Sequence, residues 1–190
     1  RSTLPSTKCL AFFGRRRLGL LLLLFTLFAT TEGHTGAVDE IRVGVLYHDL
    51  GLWGGSGNEG GIDFNGELIF SPSLELLSGI LRPNLGFSLN SEGNTSMIYG
   101  GGLWEYRWPQ GYFFDLGFGL AVHNGETDEG NVDDMNQLGS TVLFRTAFEA
   151  GITIGDRHLI SVMFDHISNA YLADPNDGLD TLGLRYGYRF

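Results

Sequence analysis

From Ile41 to the end of the chain, apolar and polar positions alternate with a period of two, the pattern of strands with one oily and one polar face. In the last stretch Leu182, Leu184, Tyr186, Tyr188 and Phe190 share one face, while Thr181, Gly183, Arg185, Gly187 and Arg189 share the other. Another sets Tyr112, Phe114, Leu116, Phe118, Leu120 and Val122 against Asp115, Gly117, Gly119 and His123. A third sets Val142, Phe144, Phe148, Ile152 and Ile154 against Arg145, Glu149, Gly151 and Thr153. Shorter runs (Ile41 to Tyr47, Ile62 to Phe70, Leu85 to Leu89, Ile98 to Trp108) behave alike, and Arg157 to Ser168 adds one more. The total is about eight strands, an even number of the kind bacterial membrane barrels use.

The polar face decides what the oily face meets. It carries Arg42, Arg107, Arg145, Arg185 and Arg189 with Asp63, Glu67, Glu105, Asp115 and Glu149, five of each sign. Such balance predicts paired charges in a confined lumen, because an unpaired buried charge is penalised by several kcal/mol. An eight-stranded barrel has an interior just wide enough for side chains to fill. The apolar face then lies against lipid, with Trp104, Tyr106, Trp108, Tyr186 and Tyr188 as aromatic girdles. Tight connections at Pro109-Gln110 and Gly155-Asp156 fit short periplasmic turns, and the polar stretches Asp49–Gly60 and Asn124–Gly139 fit extracellular loops. Ser71–Pro83 is a longer connection on the short-turn side. The expected fold is all-β: an eight-stranded antiparallel outer-membrane β-barrel over residues 38–190. A secreted sandwich or lipocalin-like barrel is the soluble alternative, since lipocalins also alternate.

Upstream, Arg15, Arg16 and Arg17 precede the apolar run Leu18 to Ala29, the layout of a secretory signal peptide. The run is shorter than the roughly 20 residues a spanning helix needs. Residues 1–37 therefore read as a leader, with cleavage after Ala29 or Ala37, for a protein exported to the outer membrane of a Gram-negative bacterium. Among 190 residues, 29 are glycine and 13% aromatic, a composition that disfavours helices. Without Arg1, Lys8, Arg15, Arg16, Arg17 and Glu32, the chain keeps seven basic and twenty-one acidic residues, a charge of −14. That argues against nucleic acid as a partner, which requires clustered Lys and Arg. The single cysteine, Cys9, excludes internal disulfides and multi-cysteine zinc sites.

Some polar segments carry no distinctive chemistry. Gly54 to Gly61 lacks the Lys-Ser/Thr of a phosphate-binding loop and reads as a flexible loop. The acidic stretch Glu126, Asp128, Glu129, Asp133 and Asp134 lacks EF-hand spacing and reads as a solvated loop. By contrast, His166 and Ser168 stand two apart near the end of a strand, so their side chains project from one face. A histidine within reach can take the serine proton and make the hydroxyl a nucleophile. Asp180 opens the next strand, which pairs antiparallel with this one, and its carboxylate can fix the tautomer of His166. Asn169, Asn176 or a backbone N–H of the loop can donate to an oxyanion. By parity His166 and Ser168 belong with Ile160, Val162 and Phe164, and Asp180 with Leu182 and Leu184. The group is therefore expected on the outer wall, at the extracellular end of the barrel.

The run His166-x-Ser168-Asn169-Ala170, with Asn176-x-Gly178-x-Asp180 and Leu184-Arg185-Tyr186, resembles the lipid A 3-O-deacylase family (PagL-like acyloxyacyl hydrolases). The resemblance implies an eight-stranded outer-membrane esterase that removes the 3-position acyl chain of lipid A in lipopolysaccharide. It implies Ser168 as nucleophile, His166 as base and Asp180 as acid, with Asn169, Asn176 and Gly178 supporting the oxyanion, and no metal or other cofactor. The best-known member of the family has glutamate where this chain has the shorter Asp180, so Asp177 and Asp174 are further carboxylates in the same loop. The alternative from another class is a non-enzymatic barrel serving adhesion or envelope integrity.

Overall fold

The computed structural model describes residues 37–54, 57–128 and 135–190. Residues 1–36 of the expected leader, and Glu129, Asp133 and Asp134 of the acidic stretch, lie outside the described residues. Nine strands follow in order: β1 (Val38–Tyr47), β2 (Ile62–Phe70), β3 (Leu74–Leu76), β4 (Gly79–Asn90), β5 (Met97–Arg107), β6 (Tyr112–His123), β7 (Val142–Ile154), β8 (His158–Ser168) and β9 (Leu179–Arg189). Every pairing is antiparallel. β1 pairs with both β2 and β9, and β2 pairs with β4, so eight strands close on themselves. Closure leaves the barrel strands without a free edge, which a spanning sheet requires because lipid offers no hydrogen bonds.

β3 is the ninth, and it was not legible as a strand. Instead of one long connection over Ser71–Pro83, the chain makes a small hairpin in which Leu74 to Leu76 pair with Leu81 to Gly79. Leu77 and Ser78 sit at the turn with positive φ. The indole Nε1–H of Trp104 donates to the Leu76 carbonyl at 2.7 Å and ties the hairpin to β5. β4 consequently starts before Pro83, which lies opposite Gly102.

The expected two faces are present. Val43, Val45, Phe64, Leu85, Phe118, Val162 and Leu184 are all exposed on the outside. Trp104, Tyr106 and Trp108 form a stacked and edge-on aromatic group near the short-turn end, where Tyr186 and Tyr188 also lie. The Trp108–Gly111 turn closes with a Gly111 N–H to Trp108 carbonyl bond of 3.0 Å.

Inside, the ten charges read from the sequence are joined by Asp39, Glu40, Arg82 and Asp165. Arg42 donates to Glu40 (2.5 Å), Asp115 (2.5 Å) and Glu149 (2.7 Å). Arg185 bridges Glu67 (2.6 Å) and Glu149 (2.8 Å), and Arg145 pairs with Asp165 (2.8 Å). Arg82 reaches Asp39 (2.5 Å) and Glu105 (3.0 Å). Ser161 donates to the remaining oxygen of Glu149. Multiple partners per charge are what make burial of these groups tolerable.

Candidate functional site

The site begins with strand register. Ser168 ends β8, Leu179 opens β9, and the antiparallel ladder sets His166 directly opposite Asp180. Facing residues on paired strands have Cβ atoms about 4.5–5.5 Å apart, close enough for a short carboxylate to reach an imidazole. The Asp180 Oδ1 to His166 Nδ1 distance is 2.6 Å, and His166 Nε2 lies 3.1 Å from Ser168 Oγ. All three side chains stand on the outer wall, in line with exposed Ile160 and Val162 on β8 and with Leu184 on β9. Asp180 is fully buried there, whereas His166 and Ser168 are partly exposed.

What buries Asp180 is the loop between β1 and β2. Its Trp53 and Gly54 N–H groups donate to Asp180 Oδ2, at 2.5 and 3.3 Å, leaving Oδ1 for the imidazole. The Trp53 ring stacks on His166 with centroids 4.9 Å apart and planes inclined by 29°. It also lies against Phe148 and Phe164, at 6.0 and 6.3 Å. The loop is fastened by Leu50 N–H to the Asp180 carbonyl (2.9 Å) and Gly178 N–H to the Gly54 carbonyl (2.7 Å). Gly178 permits this approach, because a Cβ there would stand 2.8 Å from His166 Cε1 and 3.1 Å from the Gly54 carbonyl carbon. Trp53 and Gly54 were missed in the sequence, where this stretch looked like featureless flexible loop.

The connection between β8 and β9 folds back on itself. Ala170 and Tyr171 both have positive φ, and Leu172 N–H donates to the Asn169 carbonyl at 3.1 Å. Asn169 Nδ2 donates to the Leu138 and Pro175 carbonyls (3.1 and 2.8 Å), and its backbone N–H donates to Asn176 Oδ1 (3.1 Å). Asp177 accepts the Gln137 N–H at 3.0 Å, so its carboxylate holds the β6–β7 loop, and Asp174 is exposed. The carboxylate that meets His166 is that of Asp180. Among the described residues, no group of three or more His, Cys, Asp or Glu side chains has metal-holding geometry.

A buried polar network ties the loops together at this end. His48 sits between Glu59 (3.0 Å) and Asp63 (2.8 Å). Glu59 in turn accepts the N–H and hydroxyl of Thr95 (2.8 and 2.9 Å) and the N–H of Asn136 (3.0 Å). Asn136 Nδ2 reaches Asp49 (2.9 Å) and the Gly178 carbonyl (3.3 Å), which connects the network to the site. Burial works against protonation of His48, but the hydrogen bonds it donates to Asp63 and Glu59, and their charges, outweigh it and raise its pKa to about 9. For Glu59 burial favours the neutral acid, yet the bonds from His48, Thr95 and Asn136 prevail and lower its pKa.

The sign of the pH dependence follows. A raised histidine adds stability in full below its unfolded value near 6.5, and that contribution disappears as pH rises through about 9. The thermal midpoint of the barrel in detergent is expected to fall between pH 7 and pH 10, and His48→Gln to flatten the decline. An unchanged slope in His48→Gln would exclude this origin. Glu59, being lowered, adds a loss on the acid side, as pH falls below the usual carboxylate range.

With the geometry in place, comparison with known proteins identifies the lineage. Residues 88–189 match the sequence model described as lipid A 3-O-deacylase (PagL), more than half of the chain. The chain belongs to the PagL family. Lipid A deacylase PagL of Pseudomonas aeruginosa is 35% identical over 74 residues, 39% of this chain and 40% of that protein. Lipid A deacylase PagL of Bordetella bronchiseptica is 28% identical over 119 residues, 58% of this chain and 62% of that protein. The chain thus spans less than two thirds of the length of either relative. The crystal structure of the outer membrane enzyme PagL superposes with a TM-score of 0.60 and 20% identity, over 80% of this chain and 99% of that one. At that identity the PagL likeness establishes the fold, an eight-stranded outer-membrane barrel.

Proposed function

We propose that this barrel is an outer-membrane esterase that removes the 3-O-linked acyl chain of lipid A. The observation that carries the reading is the unbroken hydrogen-bonded line Asp180–His166–Ser168 on the lipid-facing wall. Family membership supplies the substrate class, because the two relatives are named for lipid A deacylation. The exposed apolar wall beside Ser168, with Ile160, Val162 and Leu184, supports a substrate whose acyl ester lies in the outer leaflet.

The chemistry follows from the three side chains. His166 Nε2 accepts the Ser168 proton as Oγ bonds to the ester carbonyl carbon, and the carbonyl becomes an oxyanion. Asp180 keeps the Nδ1 proton in place and stabilises the imidazolium that forms. Collapse breaks the bond to the sugar oxygen, which leaves with the proton from His166. Water, deprotonated by the same nitrogen, then adds to the acyl carbon, and the acyl–Oγ bond breaks as His166 returns that proton to Ser168, releasing the fatty acid. Asn176 is our candidate for oxyanion donor. Its Oδ1 is held by the Asn169 N–H, which leaves its NH₂ group to donate, whereas Asn169 Nδ2 and the Gly178 N–H are committed to carbonyls. Asn169 and Gly178 act in support. Asn176→Ala is expected to lower kcat about 10²–10³-fold with little change in KM, in a detergent assay of fatty-acid release.

Mass spectrometry of lipid A from cells making this protein or its Ser168→Ala variant tests the function. The active form is expected to shift lipid A by the mass of one hydroxy fatty acid, and the variant to leave it intact. Identical lipid A in both would turn the reading to a non-enzymatic envelope barrel. The loop-end segments 48–61, 91–96, 124–141 and 169–178 contain ten carboxylates and no Lys or Arg. Turnover of a phosphate-bearing glycolipid is therefore expected to rise with ionic strength or added magnesium, as screening weakens like-charge repulsion.

A further inference from the structure

The β1–β2 loop does more than cover the wall. Two of its N–H groups meet the carboxylate oxygen that His166 does not use, and its indole lies flat against the imidazole. The imidazole is thus held on three sides: Asp180 at Nδ1, Gly178 and Gly54 at the Cε1 edge, and Trp53 across one face. On an open lipid-facing surface no barrel wall opposes rotation of His166, so the loop supplies the restraint that a cleft supplies elsewhere. We propose that Trp53 is the positioning residue for proton transfer at His166. This rests on the reading of Ser168 as nucleophile.

Two consequences of the stacked ring make the assignment chemical as well as steric. A flat aromatic face fixes the plane of the imidazole, which keeps Nε2 aimed at Ser168 Oγ while Nδ1 stays on Asp180. The same face carries the negative side of the indole quadrupole, so it stabilises the imidazolium that exists only during turnover. An aliphatic side chain of comparable bulk fills the space and does neither. A phenyl ring does both less well.

The test uses the full folded barrel in detergent and a soluble short-chain p-nitrophenyl ester, whose acyl group is too short to reach the aromatic strip at Phe148 and Phe164. Trp53→Leu is expected to lower kcat about 10–100-fold with KM within about threefold, while Trp53→Phe retains kcat within about threefold. Retention of kcat by Trp53→Leu, or a loss confined to KM, would overturn the assignment. Ser168→Ala is run alongside: turnover persisting there would remove the esterase reading itself, a result distinct from any behaviour of the Trp53 variants. A second readout needs neither folding of a Trp53 variant nor catalysis. With Trp104→Phe and Trp108→Phe, Trp53 is the sole indole. Its emission intensity is expected to change on His166→Ala, which removes the ring stacked on it. Emission that is independent of His166 would overturn the contact on which the inference stands.

Discussion

Ser168→Ala is expected to lower fatty-acid release about 10⁴-fold or more, and His166→Ala to do nearly the same. The two act as one unit, because the hydroxyl is a competent nucleophile only while Nε2 can take its proton. The double variant is therefore expected to lose no more than the worse single one. Asp180→Asn is the more discriminating change. One Asp180 oxygen accepts Nδ1–H of His166, and the other accepts the N–H groups of Trp53 and Gly54. An amide placed there presents its NH₂ group to a donor in either orientation. Turned toward His166, it forces the proton onto Nε2, which can then no longer accept one from Ser168. Turned toward the loop, it confronts two N–H groups and releases Trp53. The expected loss in kcat is about 10³–10⁴-fold with the barrel still folded, measured by fatty-acid release and by heat-modifiable gel migration.

The second large effect is structural and lies in the lumen. Arg42 is buried and is the shared partner of Glu40, Asp115 and Glu149. Arg42→Met removes the cation and leaves carboxylates crowded in a space closed to water. Breaking a buried pair from one side costs about 3–5 kcal/mol, and here Asp115 loses its arginine while Glu40 and Glu149 each lose one of theirs. The barrel is expected to unfold at much lower urea concentration in lipid vesicles, or to fail to insert. Removing one carboxylate together with the cation, Asp115→Asn added to Arg42→Met, is expected to recover much of the loss, because Glu149 keeps Arg185 and Glu40 keeps Arg107 and Arg189. The charges, on this account, matter through mutual neutrality. A single Arg42→Met barrel with unaltered unfolding would show that the lumenal pairs are dispensable.

Much of this was legible from the two-residue period. The period separates outer from inner faces, and charge balance on the inner face signals a sealed lumen. Glu40 and Asp165 were not among the ten charges read there, although each alternates with outward residues on its strand. The site was legible because two of its members stand two apart on β8 and the third begins β9, so adjacent strands bring them together without long-range information. The reach of the shorter aspartate was not legible, with Asp177 and Asp174 left open beside it; the observed register sets His166 opposite Asp180, and the carboxylate meets the imidazole at 2.6 Å. Trp53 and Gly54 were not legible, because they meet Asp180 from 127 and 126 residues away through a loop with no periodicity. β3 was hidden for a related reason, being three residues long and framed by prolines and serines.

The central claim is that the hydroxyl of Ser168 becomes transiently acylated on the outer wall. Treating the folded barrel with a long-chain alkyl fluorophosphonate and locating the adduct by peptide mass spectrometry tests it most directly. A single adduct on Ser168, absent in His166→Ala and matched by loss of fatty-acid release, is the predicted result. Inactivation with the adduct on any other residue, or lipid A deacylation by the Ser168→Ala barrel, would contradict it.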